Sequence, residues 1–350
     1  MSPDIRDLQA AVRAHVRVQP RGARTKCAPR ADDAGILDLS AFSGVIEYQP
    51  TEFVITAWAG TPVAEVQALL AEHGQYLPFD PLLVGRGATL GGTVAANACG
   101  PERYRYGGVR DFLIGTRFVD GNGALIQGGG KVVKNAAGFD YPKLMVGSLG
   151  RLGILVDVTF KVFPRPEAYA TLRVDCPSLE AALALLPKLT SCPYDLNAID
   201  LLMGAGEAAL FIRVGGLATG LPQRMDRVRA LCGSGQVITG DDEARLWRAA
   251  REFEWLAPEE CLVKVPLTPG RIPALDAAVR HAQRRYSVGG NVAWIAVRDL
   301  PALDAALKAL DLAGLVLLNA AGDPRIGHHR TNAFAERVAR ALDPHGRFVR

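Results

Sequence analysis

No two of the six cysteines stand close enough in sequence to form a C-x-x-C pair; Cys27, Cys99, Cys176, Cys192, Cys232 and Cys261 are scattered along 350 residues. That spacing argues against zinc or an iron–sulfur cluster, and no metal ligands are assigned. Reduced thiols, as in a cytoplasmic protein, are the expectation. Long apolar runs are missing too. The most apolar late stretch, Leu312 to Gly322, falls short of the ~20 residues that cross a bilayer. Charge of one sign is also scarce: the net +4 is spread along the chain, so no basic arm points to nucleic acid or anionic lipid. The N-terminus carries acidic residues and a helical apolar period where a signal peptide would show a basic patch and an apolar block. The chain is expected to be cytoplasmic, and any membrane contact is expected to be peripheral or through a partner.

Two familiar nucleotide loops are absent as well. No G-x-x-x-x-G-K-[ST] occurs, and no G-x-G-x-x-G opens a helix after the first strand, which disfavours P-loop and Rossmann folds. What is present is an ordinary folded composition, 49% hydrophobic and 22% charged, in a chain long enough for two or three domains.

Residues 5 to 14 have the period of a short helix, and VRVQP, ILDL, GVIEYQ and FVITAWAG follow as strand-length pieces. Thr61-Pro62 is expected to start a helix, with the threonine hydroxyl as cap and Val63, Val66, Leu69 and Leu70 as its apolar stripe. From Leu77 to Gly130 loops are expected to outweigh regular structure, with strands at FLIGTRFVD and after Gly121-Asn122-Gly123. A further strand, GILVDVTFKVF, ends at PRPEA, where a domain boundary is placed. Beyond it, strand-like TLRVD, AALFIRV, GQVITG, CLVKVP and NVAWIAV alternate with helix-like SLEAALALLPKL, LPQRMDRVRALC, EARLWRAAREFEWL and PALDAAVRHAQRR. The fold class expected is α+β. Residues 1–166 form one domain, residues 167–330 a smaller ferredoxin-like α+β domain, and residues 331–350 a helix that can return to the first. No internal repeat stands out.

Three stretches are candidates for chemistry. Pro20, Arg21, Gly22, Ala23, Arg24, Thr25 and Lys26 form a tight turn after a strand; such turns expose backbone N–H groups that bind phosphate oxygens, unless this is simply a solvated basic turn. The second, Gly85 to Asp111, has almost no side-chain bulk at Gly91, Gly92, Ala95 and Ala96. A bulky flat ligand needs that clearance, with Thr89, Thr93 and Asn97 as neutral donors; the plain alternative is a glycine-rich surface loop. The third, Gly128 to Val162, sets Lys131, Lys134 and Asn135 before a short helix, where a lysine can stabilise negative charge on a flavin or merely be solvated.

In this order the three stretches resemble the vanillyl-alcohol-oxidase or PCMH-type flavoproteins. The segments GPERYRYGGVRDFLIGTRFVDGNG and GGGKVVKNAAGFDYPKLMVGSLGRLGILVDVTFKVFPRP are similar, more narrowly, to the FAD-binding subunits of bacterial glycolate oxidases. The resemblance implies FAD held without a covalent link, since PRGARTK has no histidine. It implies a first FAD loop at Arg21 to Lys26. Thr89, Leu90, Gly91, Gly92, Thr93, Ala96, Asn97, Tyr106, Gly107, Arg110 and Asp111 would surround pyrophosphate and isoalloxazine, and Gly153, Ile154, Leu155 and Val156 would supply backbone contacts nearer the adenine. Arg24 departs from the glycine common in the wider family. Also implied are a catalytic flavin subunit and an iron–sulfur subunit as partners and a small 2-hydroxy acid as substrate. No catalytic base is assigned; Lys134, Arg105 and Arg110 are the candidate cations facing flavin or substrate. His328 and His329 are adjacent and expected in a polar loop.

Overall fold

The computed structural model describes residues 4–130, 139–204, 207–320, 322–330 and 332–349. Helix α1 (Ile5–Ala14) is capped by the Asp4 carboxylate, which accepts from the Arg6 N–H, and it buries Leu8 and Val12. Strands β1 (Val18–Arg21) and β2 (Gly35–Asp38) then pair in parallel. Strands β3 (Val45–Gln49) and β4 (Val54–Trp58) lead to helix α2 (Val63–Glu72) and the short β5 (Gln75–Tyr76). Thr61 does not cap α2. Its hydroxyl bonds the backbone of Gly44 in both directions, so it ties the α2 entrance to β3 instead.

The glycine-poor-bulk stretch is more regular than its composition suggests. Leu90–Ala96 is helix α3, capped by the Thr89 hydroxyl accepting from the Gly92 N–H, and Arg103–Tyr106 (α4) and Val109–Phe112 (α5) are single turns. Glycine is a poor helix former, but here the Leu90 and Val94 side chains are fully buried and packing outweighs propensity. Strands β6 (Leu113–Val119) and β7 (Leu125–Gly129), helix α6 (Tyr141–Met145), β8 (Ile154–Lys161) and β9 (Phe163–Pro164) complete this part. The antiparallel five-stranded sheet runs β3-β4-β8-β6-β7, with β8 central and buried on both faces from Ile154 to Phe160.

The remaining strands are β10 (Ala168–Cys176), β11 (Ala198–Met203), β12 (Ala208–Gly216), β13 (Gln236–Thr239), β14 (Cys261–Pro266), β15 (Gln283–Ser287), β16 (Val292–Val297), β17 (Ala313–Leu318) and β18 (Arg325–Gly327). Helices α7 (Leu179–Thr190), α8 (Leu221–Cys232), α9 (Gly240–Glu252), α10 (Ile272–Ala278) and α11 (Leu300–Ala309) join them, and α12 (Ala333–Leu342) follows. One sheet holds nine strands in the order β13-β10-β12-β11-β15-β16-β14-β17-β18.

That order resolves into two β-α-β-β-α-β units. β10-α7-β11-β12-α8-β13 and β14-α10-β15-β16-α11-β17 share one strand order, and they meet where β11 pairs antiparallel with β15. The ferredoxin-like expectation is met twice, and the topological repeat that the sequence hides is plain. Its single sheet has nine strands, against five in the largest sheet of the first part. PALDAAVRHAQRR is helix only to Ala278; Gln283–Ser287 is a central strand, because Tyr286 and the Arg284 and Arg285 stems are buried there.

After α12 the chain runs back beside β1. The Val18 N–H donates to the Arg347 carbonyl at 2.7 Å, and Phe348 is buried with Val12 and Val18.

Candidate cofactor site

The turn after β1 faces the start of α3 across a cavity of about 310 Å³. One wall is Gln19 to Ala28 with Arg30. The other is Thr89, Gly91, Gly92, Ala95 and Ala96, with Leu39, Ala59 and Gly60 beside it. Ser148, Leu149, Gly150, Gly153 and Leu155 close the end. The stretches around positions 22, 92 and 154 therefore converge in space.

Local chemistry explains the shape. Arg24 sits in the left-handed region at φ 59°, a conformation that favours glycine and costs an L side chain about 1 kcal/mol or more. A Cβ on Gly22 would stand 3.0 Å from the Thr89 hydroxyl, and one on Gly92 3.1 Å from it and 4.0 Å from the Lys26 ammonium. These glycines make a shallow cradle. Gly91 serves another purpose: its Cβ would collide with Ala59 at 2.8 Å, so it lets α3 pack on the end of β4. At the far end Gly147, Leu149 and Gly150 all have positive φ, and the Leu149 N–H donates to the Ala95 carbonyl at 2.9 Å.

The electrostatics are one-sided. Arg21, Arg24, Lys26 and Arg30 line the cavity, and among the described residues no acidic one does. Lys26 is half-buried; its ammonium donates to the Thr25 hydroxyl at 3.0 Å, and burial pulls its pKa down to about 8. Two buried hydroxyls, Thr93 on α3 and Ser148 in the lining, have no hydrogen-bond partner. The loop cations, the idle Ser148 hydroxyl and the glycine cradle suit a dianionic pyrophosphate with hydroxylated flanks.

A family described as FAD binding domain matches residues 4–129. The fold is that of the PCMH-type FAD-binding proteins. FAD is its cofactor. The FAD-binding chain is 42% identical over 181 residues to glycolate oxidase subunit GlcE of Escherichia coli, covering 50% of this chain and 51% of that protein. It is 30% identical over 251 residues to the mitochondrial D-lactate dehydrogenase [cytochrome] 1 of Saccharomyces cerevisiae, covering 65% of this chain and 42% of the relative. A third relative, glycolate oxidase subunit GlcD of Bacillus subtilis, is 27% identical over 64% of this chain and 52% of its own. The matched part thus spans about half the length of these relatives. Among solved structures, alkyldihydroxyacetonephosphate synthase superposes with a TM-score of 0.72 at 15% identity, over 98% of this chain and 74% of that one, which establishes the fold.

Within this FAD-binding chain, the residues expected at the cofactor separate into two groups. Pro20, Arg21, Gly22, Ala23, Arg24, Thr25, Lys26, Thr89, Gly91, Gly92, Ala96, Gly153 and Leu155 line the cavity. Leu90 is a core residue, and Thr93 lies behind the wall. Ile154 and Val156 point into the apolar cluster with Leu8 and Phe348, while their backbone is committed to the ladder: Ile154 pairs with Val119, and the Val156 carbonyl accepts from Ala59. Neither residue lines the cavity.

Tyr106, Gly107, Arg110 and Asp111 do not line it either. The Tyr106 ring packs edge-on against Tyr76 and Phe163, the Asp111 carboxylate accepts from the Gly108 N–H at 2.8 Å, and Arg110 is exposed. Arg105, offered as a substrate cation, pairs with Asp195 at 3.2 Å and stands over the Tyr106 ring. Lys131, Lys134 and Asn135 lie outside the described residues. Asn97 caps α3 in the left-handed region.

Sequence reasoning missed Arg30, Ala59, Gly60, Ser148, Leu149 and Gly150. The GSLG spacing at 147–150 was the available signal, since two glycines around a short polar residue mark a turn with positive φ. As for the adjacent histidines, His328 pairs with Asp311, and His329 contacts the Ile326 carbonyl.

Proposed function

We propose that this chain is an FAD-carrying subunit of an assembly that oxidises a small 2-hydroxy acid, with glycolate to glyoxylate the leading reaction. The observation that carries the reading is the acid-free cavity, where four cations from one loop face a glycine cradle on α3. The relatives named as glycolate oxidase subunits supply the substrate class and the idea of an assembly. Its partners in this reading are a catalytic flavin subunit and an iron–sulfur subunit. Residues 1–166 serve as the cofactor domain, residues 167–330 as the domain covering its reactive side, and residues 331–350 as a return segment.

Bound FAD supplies a ring that accepts the hydrogen of a carbinol carbon and passes electrons on. The protein's own part is to bind and orient. Lys26, Arg21 and Arg24 would neutralise the pyrophosphate, Thr89 would stand at the cradle, and the Ser148 hydroxyl would meet a polar edge. Among the described residues no helix is long and apolar enough to cross a membrane, so membrane attachment in this reading runs through partners.

The test is flavin content and turnover. The purified chain should show flavin absorbance that acid or heat releases as free FAD, and it should turn over glycolate with an artificial acceptor only when its partners are co-expressed. Absence of flavin, even after reconstitution, would instead make it a scaffold that keeps the fold to hold partners. Vigorous glycolate oxidation by the isolated chain would make it a self-sufficient 2-hydroxy-acid dehydrogenase.

A further inference from the structure

Lys264 is a buried cation that has no carboxylate partner among the described residues. It lies on β14 in the nine-stranded sheet with 6% of its surface exposed, and its ammonium donates to the Asn97 carbonyl at 2.8 Å. Asn97 is the left-handed cap of α3, the helix that forms one wall of the FAD cavity. The neighbouring carbonyls are already engaged: the Asn97 N–H takes those of Thr93 and Val94, Gly147 also donates to Val94, and Leu149 donates to Ala95. A helix C-terminus concentrates partial negative charge, so an ammonium there is favourable.

The opposite wall is fastened to the next strand. The Cys27 N–H, immediately after Lys26, donates to the Leu317 carbonyl on β17 at 2.8 Å, and the Cys27 thiol accepts from the Ala320 N–H at 3.2 Å. Strands β14 and β17 are hydrogen-bonded neighbours, with Lys264 opposite Leu315. Adjacent strands keep a nearly fixed separation of ~4.8 Å.

From these contacts we infer that Lys264 is a positioning residue for the cofactor: with the Leu317–Ala320 backbone, it makes the β14–β17 pair the spacer that holds the two walls of the FAD cavity at their working distance. The inference rests on the reading of that cavity as the FAD site. The groups whose charge acts on Lys264 are the Cys99 thiol, which burial keeps protonated, and the Arg103 guanidinium, so no acid compensates it. Burial brings the Lys264 pKa down to about 8, which leaves it mostly cationic at neutral pH. Among the described residues the Asn97 carbonyl is its one hydrogen-bond acceptor, and the wall and the cation stabilise each other.

The experiment uses the full chain stripped of FAD and titrated with it. Lys264→Met should weaken FAD binding about tenfold, and Lys264→Arg should restore it to within about threefold, because the guanidinium keeps a charged donor on the carbonyl. Cys27→Ala should weaken it about twofold to threefold. A second measurement needs no variant: on adding FAD to the wild-type chain, amide exchange should slow in residues 261–266 and 313–318, which lie outside the cavity lining. Wild-type affinity in Lys264→Met, equal loss in Lys264→Arg, or unchanged exchange in both strands would each overturn the inference. Failure of the wild-type chain to bind FAD would instead overturn the function proposed above.

Discussion

Two clusters of charge in this molecule have opposite balance. Around the cavity, Arg21, Arg24, Lys26 and Arg30 gather with no acid in the lining. Between the five-stranded and nine-stranded parts, Arg213 is wedged among acids: it bonds Glu102 at 3.1 Å and Glu243 at 2.7 and 3.1 Å, and its guanidinium lies 3.8 Å from the centre of the Tyr169 ring. Asn197 also donates to Glu102, and Asp80 pairs with Arg251 nearby. Burial pushes Glu102 up to about 7 in spite of Arg213. A buried charge that meets its counter-charge within the chain is architecture; one that does not is a place for a ligand.

Breaking the compensated cluster should have the largest effect. Arg213→Met leaves Glu102 and Glu243 buried without their cation, and stability should fall by about 3–5 kcal/mol in urea unfolding. Double replacement with Glu102→Gln should recover part of that. An unchanged midpoint in Arg213→Met would mean that the cluster is not what joins the two parts.

Adding an acid to the cavity cluster comes next. Gly92→Glu puts a carboxylate into the cradle beside Lys26, where it would fill the space and answer the cations. FAD binding should weaken about a hundredfold, roughly 3 kcal/mol, with apo stability little changed. Retained flavin in this variant would show that the cradle does not hold the pyrophosphate.

The smallest effect sharpens the contrast through pH. Lys26 has its pKa lowered to about 8 by burial, against an ordinary lysine near 10.5. Between those values the unfolded chain binds more protons than the folded apo chain, so this residue makes apo stability rise with pH from about 8 to 10.5. FAD affinity should move the other way, falling above pH 8 as the ammonium loses its proton. In Lys26→Met the affinity should be weaker at pH 7, and the Lys26 contribution to the pH dependence should vanish from titrations between pH 6.5 and 9.5.

Much of the site was legible because it is local. Pro20 to Lys26 and Thr89 to Gly92 reach the cavity as contiguous runs, and their scarcity of bulk is a property of sequence. On β8 alternation sends the Ile154 and Val156 side chains into the core while Leu155 faces the cavity, a division that depends on which face the sheet covers. Arg105 pairs with Asp195, 90 positions away, which no local pattern announces. Lys264 carried no signal at all, since a lone lysine in CLVKVP reads as an alternating solvent-facing residue until a second layer covers it.

Composition and periodicity by themselves determined the soluble-type core pattern, most helices and strands, and the loops with room for a dinucleotide, because backbone preference and side-chain bulk act over a few residues. Tertiary structure alone decided which cations are compensated, that two β-α-β-β-α-β units join through β11 and β15, and that β14 and β17 grip opposite walls of one cavity. Those outcomes depend on burial and on pairings between residues tens to hundreds of positions apart, where dielectric and strand spacing, rather than local preference, set the energy.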